Sequence, residues 1–287
     1  MDPEEPPPRV HFRQITGAAG DLGRQTAIEL ARYGRPARIY VADLPHDEDA
    51  KVALAQQITY EAYGDFQPDT DVTGQLTEIR FLELDLSSLD SVRKCAADFV
   101  AQEKQLDIIF LNTGIIRVAT GVTTEGYEIH FGVNYLGHAL LSSLLPGADV
   151  RIVIVSSEGH LNAPKDGIDF NKLKTDCADI PYAKRYGQNK VALISLMRQL
   201  SREYCNEKQL RALVHLTRPI APLICVPVSV GIRNHLWAAT SSYVVSSTYY
   251  EPVGVPGKLS PAAKDESLSK RLRQWTNDAV SEVKSLE

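Results

Sequence analysis

Short runs of Val, Ile and Leu recur along the chain, each followed by a longer stretch in which polar and apolar positions mix at helical spacing. "RQITG" precedes "GRQTAIELARYG", "ARIYVADL" precedes "EDAKVALAQQITYEAYG", "IRFLELDL" precedes "SLDSVRKCAADFVAQEK", and "LDIIFLNTG" precedes "FGVNYLGHALLSSLL". The rhythm continues through "VRIVIVSS", "YGQNKVALISLMRQLSREYC" and "LRALVHLTRP". Unbroken aliphatic runs mark strands buried on both faces, and strands alternating with helices predict a parallel sheet covered by helices on both sides. No change in composition divides the chain, so the pattern predicts one doubly wound α/β domain over residues 11–287, behind a proline-rich, flexible lead-in at residues 1–10.

In an open parallel sheet the ligand crevice lies beyond the carboxyl ends of the strands, so chemistry is expected in the residues that follow each run. After the first run, "TGAAGDLGRQTA" places Gly17, Gly20 and Gly23 in the turn that opens a helix. Glycines there permit a tight turn and let the backbone approach a pyrophosphate lying over the free N–H groups of the helix start. The strand before and the helix after favour dinucleotide binding over a plain turn. Asp21 would repel a pyrophosphate unless it points outward, and it is expected to face solvent. Asp43 ends the second strand, where a carboxylate can accept from the adenosine ribose hydroxyls and repels a 2′-phosphate. It favours NAD(H). Arg24 is the nearby cation that would shift the choice toward NADP(H), which stays open.

Composition narrows the partners. With 44% hydrophobic and 23% charged residues, a net charge of −5 and no basic block, the chain is expected to bind small molecules and not nucleic acid. Cys95, Cys177, Cys205 and Cys225 lie far apart, without the spacing of a metal site or a disulfide frame, so reduced thiols and no metal are expected. "PIAPLICVPVSVGI" at 219–232 is too short to span a bilayer and carries three prolines. A soluble, cytoplasmic protein is the expectation.

"RYGQNK" sets Tyr186 and Lys190 one helical turn apart. A tyrosine titrates near about 10, and an adjacent ammonium is expected to lower that toward working pH. Spacing alone decides nothing, because "YCNEK" pairs Tyr204 with Lys208 in the same way. That second pair lies at the far end of the same helix, on the side of the sheet away from the crevice. His138 and His160 lack the Gly-x-Ser-x-Gly elbow of a serine hydrolase. His138 is expected to be a satisfied helix residue, and His160 either touches substrate or packs.

Several motifs taken in order make the chain resemble the short-chain dehydrogenases/reductases, from about residue 11 to the end. "TGAAGDLG" is similar to the family's glycine segment, with Leu22 beside Gly23. "LDL" with Asp85 and Leu86 resembles the adenine-side Asp-Leu, and "LNTG" with Asn112 and Gly114 resembles the Asn-Asn-Ala-Gly strand end. "VNYLGH" carries the family's Asn at Asn134, and "VSSEGH" followed by "YGQNK" completes the set. The phrases "GYEIHFGVNYLGHALL" and "YYEPVGVPGKLS" look most like the retinol-dehydrogenase-like and protochlorophyllide-reductase-like branch. The resemblance implies a Rossmann fold and NAD(P)-dependent interconversion of an alcohol and a carbonyl on a lipophilic or natural-product-like molecule. It implies cofactor contacts from Gly17, Gly20, Leu22, Gly23, Asp85, Leu86, Asn112, Gly114, Tyr186 and Lys190. The catalytic set it implies is Asn134, Ser157, Tyr186 and Lys190: Tyr186 as acid/base, Lys190 gripping the nicotinamide ribose, Ser157 bonding the substrate oxygen, and Asn134 holding a water in a proton relay. It further implies a possible homodimer paired through the helices that bear Asn134 and Tyr186.

The chain departs from the family pattern in places. Asp21 stands where the second glycine is usual, Leu111 and Thr113 replace an Asn and an Ala, and Ile220 replaces the glycine after Pro219. The segment 219–232 is shorter than the family's substrate cover, whereas "GHLNAPKDGIDFNKLKTDCADIPYAKR" lengthens the step from Ser157 to Tyr186 and is expected to loop over the site. Asp21 and the short cover motivate an alternative, a redox-inactive cofactor-binding regulator or partner-binding module. A non-redox isomerase or cyclase using the same tyrosine is a third possibility.

Overall fold

Consecutive side chains of a strand point to opposite faces of its sheet, and in this chain both faces are core. In β2 (Arg38–Asp43) Ile39 and Val41 enter one apolar cluster while Tyr40 and Ala42 enter another. In β4 (Ile108–Leu111) Ile108 and Phe110 divide from Ile109 and Leu111 in the same way. That double burial is why the strands read as continuous aliphatic runs. The computed structural model describes residues 12–64, 76–145, 150–204, 211–216 and 227–282. The expected lead-in at residues 1–10, residues 219–226 of the short segment, and Cys205, Lys208, Ile220 and Cys225 lie outside them.

The remaining strands are β1 (Phe12–Thr16), β3 (Glu78–Glu83), β5 (Arg151–Ser156), β6 (Arg211–Leu216), β7 (Tyr249–Glu251) and β8 (Val255–Pro256). They form one sheet in the order β3-β2-β1-β4-β5-β6-β7-β8. All neighbours are parallel except β7 and β8. The order reverses between β1 and β4, which opens the crevice there. The last pair is a departure from the purely parallel expectation. Gly254 makes the tight return with φ +69°, and a Cβ on it would meet the Trp237 ring at 2.7 Å.

Helices α1 (Asp21–Glu29), α2 (Glu48–Tyr63) and α7 (Val228–Thr240) cover one face through Ile28, Ile58 and Ala238. Helices α3 (Leu89–Gln102), α5 (Gly137–Leu144), α6 (Tyr182–Tyr204) and α9 (Glu266–Glu282) cover the other through Phe99, Leu140, Leu193 and Leu272. The single helix expected through "FGVNYLGHALLSSLL" is broken: α4 (Ile129–Phe131) passes through a wide π-type turn at Gly132–Leu136 before α5 begins. Tyr249 and Tyr250 form β7, and Tyr250 stacks edge-on with Trp237 at 4.9 Å. Cys95 and Cys177 are free, buried thiols. Among the described residues no helix is long and apolar enough to cross a membrane.

The lengthened stretch after Ser157 does not form the expected loop over the site. Only its 3-10 turn, Glu158–Asn162, lies against Tyr186, where Gly159 leaves room for the ring. Farther on, Gly167 sits under Leu268 and Val191, Phe170 packs on Trp275, and Lys174 pairs with Glu282. Apolar Ile168, Phe170 and Leu173 draw the segment to α6 and α9, because burying them outweighs projecting them over a crevice. Helix α9 is amphipathic, with Leu268, Leu272, Thr276 and Ala279 inward. Leu272 is fully buried. Leu272→Ala is expected to destabilise the fold by about 2–5 kcal/mol, read as a lower urea midpoint at unchanged slope; an unchanged midpoint would show that α9 is not part of the core.

Candidate active site

The turn after β1 is shaped by what it must not contain. Gly17 has φ +69°, and a Cβ on it would stand 2.8 Å from Thr113 Oγ1; one on Gly23 would stand 2.3 Å from the Gly17 carbonyl. Both positions therefore require glycine. Gly20 differs, with only the Gly17 carbonyl at 3.5 Å, and serves as the N-cap of α1 without any side-chain cap. The first N–H groups of α1 are thus available to an anion. They open onto a cavity of about 1100 Å³ lined by Gly17, Gly20, Leu22, Gly23, Asp43, Asp85, Leu86, Asn112 and Gly114, nine positions the sequence singles out.

Each of these residues has a distinct local reason for its place. Asp43 has both carboxylate oxygens anchored, accepting from Ala19 N–H at 2.7 Å and Leu44 N–H at 2.9 Å, so it stands rigidly in the wall. Asp85 is turned onto its own turn, accepting from Ser87 N–H and Ser87 Oγ. Leu86 is buried against α5, where a Cβ on Gly137 would meet its carbonyl at 2.8 Å. Asn112 fastens β4 to β1: its N–H donates to Thr16 Oγ1 and its Nδ2 to the Thr16 carbonyl, both at 2.9 Å. Asp21 is exposed as expected, yet it also lines the cavity. Arg24 is held by Glu61 and is not among the lining residues.

The other four residues meet at the Gly114 end of β4. A Cβ on Gly114 would lie 3.5 Å from Lys190 Nζ and 4.0 Å from Asn134 Oδ1. Lys190 Nζ sits 5.2 Å from the centre of the Tyr186 ring and donates to the Val155 carbonyl at 3.2 Å. Ser157, fully buried, accepts from Gly159 N–H at 3.0 Å, and a Cβ on Gly159 would lie 3.3 Å from Ser157 Oγ and 2.7 Å from the Tyr186 ring. Ser156 is the structural member of the pair, donating to the Lys190 carbonyl at 3.1 Å. The Asn134 side chain is fully engaged within the protein. Its Nδ2 donates to the Ile115 carbonyl and to Asn189 Oδ1, and its Oδ1 accepts from Ile115 N–H.

No family model matches the chain. Retinol dehydrogenase 14 of Homo sapiens is 33% identical over 299 residues, 94% of this chain and 84% of that protein. A short-chain dehydrogenase/reductase of Armillaria gallica is 27% identical over 289 residues, 91% of this chain and 87% of that one. The chain is a short-chain dehydrogenase/reductase. An uncharacterised oxidoreductase of Schizosaccharomyces pombe is 30% identical over 307 residues, covering 95% of this chain and 85% of the relative. Among solved structures, an uncharacterised protein of Mycobacterium paratuberculosis superposes with a TM-score of 0.75 at 27% identity, over 94% of this chain and 93% of that one. An NADH-dependent reductase solved with NAD shares the fold, with a TM-score of 0.62 at 14% identity, over 88% of this chain and 98% of the other.

In this short-chain dehydrogenase/reductase, burial governs the charges. It pushes the Tyr186 phenol up to about 12, with Ser157 pulling the other way, and pushes the Lys190 ammonium down to about 7. The expected depression of Tyr186 by Lys190 is therefore outweighed, because desolvation penalises both charged forms. Sequence reasoning also missed cavity residues from distant elements: Val230 and Gly231 at the start of α7, and Glu251 and Pro252 at the end of β7. Gly231 packs near Leu22, which no local pattern encodes. His160 is buried, its Nδ1 donating to the Ser157 carbonyl at 2.8 Å and its ring against Tyr249.

The Lys190 shift has a measurable sign. The unfolded chain keeps this proton to about 10.5 and the folded chain only to about 7, so between those values the unfolded state binds more protons and stability rises with pH. Above about 10 the raised Tyr186 acts oppositely. Lys190→Met is expected to be more stable than wild type at pH 7 and to lose the rise between pH 7 and 10, read from melting temperatures; a wild-type slope in the variant would contradict the buried ammonium.

Proposed function

We propose that this enzyme interconverts an alcohol and a carbonyl with a nicotinamide cofactor, preferring NAD(H), on a lipophilic small molecule. The observation that carries the proposal is the meeting of Tyr186, Ser157 and Lys190, with Lys190 Nζ 5.2 Å from the Tyr186 ring centre and close to the Gly114 that also lines the cavity. Gly17, Gly20, Leu22 and Gly23 would hold the pyrophosphate, Asp43 the adenosine ribose, and Asp85 with Leu86 the adenine side. The bound cofactor supplies or accepts the hydride at the substrate carbon. Tyr186 gives its phenolic proton to the oxygen in reduction and takes it back in oxidation, while Ser157 Oγ hydrogen-bonds that same oxygen. Lys190 Nζ holds positive charge against the phenolate left behind, and a lysine pushed down to about 7 exchanges protons readily at neutral pH. The substrate class is supported by Ile115, Ile129, Val133, Val228 and Val230 in the cavity wall, and by the retinol dehydrogenases among the relatives. A homodimer is part of the proposal only through faces that α8 (Pro261–Lys264) and α9 leave open, since these helices already bind α6 at Arg198, Gln199 and Arg202.

Asp21 in the cavity wall favours a second function, a weak cofactor binder with little turnover, because its carboxylate opposes the pyrophosphate. Titration with NADH and NADPH separates the two. Tyr186→Phe is expected to lower kcat about 10²–10⁴-fold with NADH affinity kept; full activity in that variant would remove Tyr186 from the mechanism. Asp43→Ala is expected to narrow the preference for NADH over NADPH by about tenfold or more, a like-charge contact being worth about 1–4 kcal/mol between bulk water and a protein surface. A wild-type preference for NADPH would defeat that assignment.

A further inference from the structure

His138 takes no step in the chemistry above, yet it is fully buried in α5 with both ring nitrogens engaged. Nδ1 lies 3.0 Å from the Asn134 carbonyl oxygen and Nε2 lies 3.0 Å from Thr16 Oγ1. A carbonyl can only accept, so Nδ1 carries the proton, and Nε2 is left to accept from the Thr16 hydroxyl. The Thr16 oxygen meanwhile accepts the N–H groups of Asn112 and Thr113 at 2.9 and 3.0 Å. Burial and the nearby Lys190 charge push the ring down to about 4, so it stays neutral and keeps one nitrogen as an acceptor.

Asn134 sits in the π-type turn, where regular helix hydrogen bonding is interrupted. From there its side chain grips Ile115 through both N–H and carbonyl, and Asn189 on α6, the residue before Lys190. Asn189 in turn donates to the Arg185 carbonyl, the residue before Tyr186. We propose that His138 is a positioning residue: as its Nδ1–H tautomer it fixes the Asn134 peptide, and through Asn134 the placement of Gly114, Ile115 and Asn189 around Lys190 and Tyr186. Its effect on turnover rests on the oxidoreductase mechanism proposed above; its effect on Asn134 does not. The two ends of the imidazole are unequal. Thr16 Oγ1 has a second acceptor in the Phe110 carbonyl at 3.3 Å, whereas among the described residues no other side chain donates to the Asn134 carbonyl. Losing the Nδ1 donor should therefore disturb the Lys190 side of the site and spare the glycine turn.

Two substitutions separate the ends. His138→Asn puts an N–H where Nδ1 stands, and His138→Gln offers Thr16 an acceptor without a donor to Asn134. In the ligand-free protein the Ile115 amide hydrogen is expected to exchange about tenfold faster in His138→Gln than in His138→Asn, as one lost buried hydrogen bond allows. kcat is expected to follow the same order, with NADH affinity by fluorescence titration within about twofold of wild type in both variants. Equal Ile115 exchange in the two variants overturns the inference whatever turnover does, and so does an NADH affinity that falls in step with kcat. A wild-type protein without NAD(H) turnover would sink the proposed chemistry, while the exchange comparison still decides the role of His138.

Discussion

Where β1 and β4 part, two neighbouring chains leave the sheet and their backbone N–H groups lose ladder partners. Buried orphans of this kind cost free energy, so something must collect them. The Thr16 hydroxyl does so for Asn112 and Thr113, while the Asn112 amide returns a bond to the Thr16 carbonyl. The fastening draws Thr113 up against the next residue of the first turn, which is why Gly17 has no room for a Cβ. One hydroxyl thus sets both the floor of the cavity and the spacing that allows Gly114 to pass beside Lys190.

The same closeness makes the proton-handling residues dry. Asn134, Ser157, Tyr186 and Lys190 are all buried. Neutral forms of the phenol and the amine are favoured there. A site of this kind is poised so that charge appears only when a ligand brings a compensating dipole or charge, which is what stabilising a developing alkoxide requires. The aliphatic side chains around it supply the low dielectric that makes each contact count.

Much of this was legible in the residues, and what was not has identifiable causes. Aliphatic runs revealed the parallel sheet because both faces are covered, and Gly17 and Gly23 were legible because each fills a position that admits no Cβ. The π-type turn at Gly132–Leu136 was invisible, since "FGVNYLGHALL" has the composition of an unbroken helix. The fate of the stretch after Ser157 was misjudged because its apolar residues answer to α9, more than a hundred positions away in sequence. The acidity of Tyr186 was misjudged because the spacing to Lys190 is local, whereas the burial that outweighs their attraction is a property of the whole fold. His138 gave no signal of its tautomer, which depends on Thr16 and Asn134 together.

The cavity's charge pattern carries the last step. Asp21, Asp43, Asp85 and Glu251 line it, and among the described lining residues there is no lysine or arginine. The described lining residues therefore offer a diphosphate no ion pair. In the proposed function its charge is met by the uncapped N–H groups at the start of α1 and by close backbone approach at the glycines. On that proposal such a wall would tolerate the two charges of the diphosphate where the N–H groups point and would repel a further phosphate placed near Asp43. In the proposed function, discrimination between the two nicotinamide dinucleotides would come from the Asp43 carboxylate anchored on Ala19 and Leu44, while Arg24, paired with Glu61, does not line the cavity.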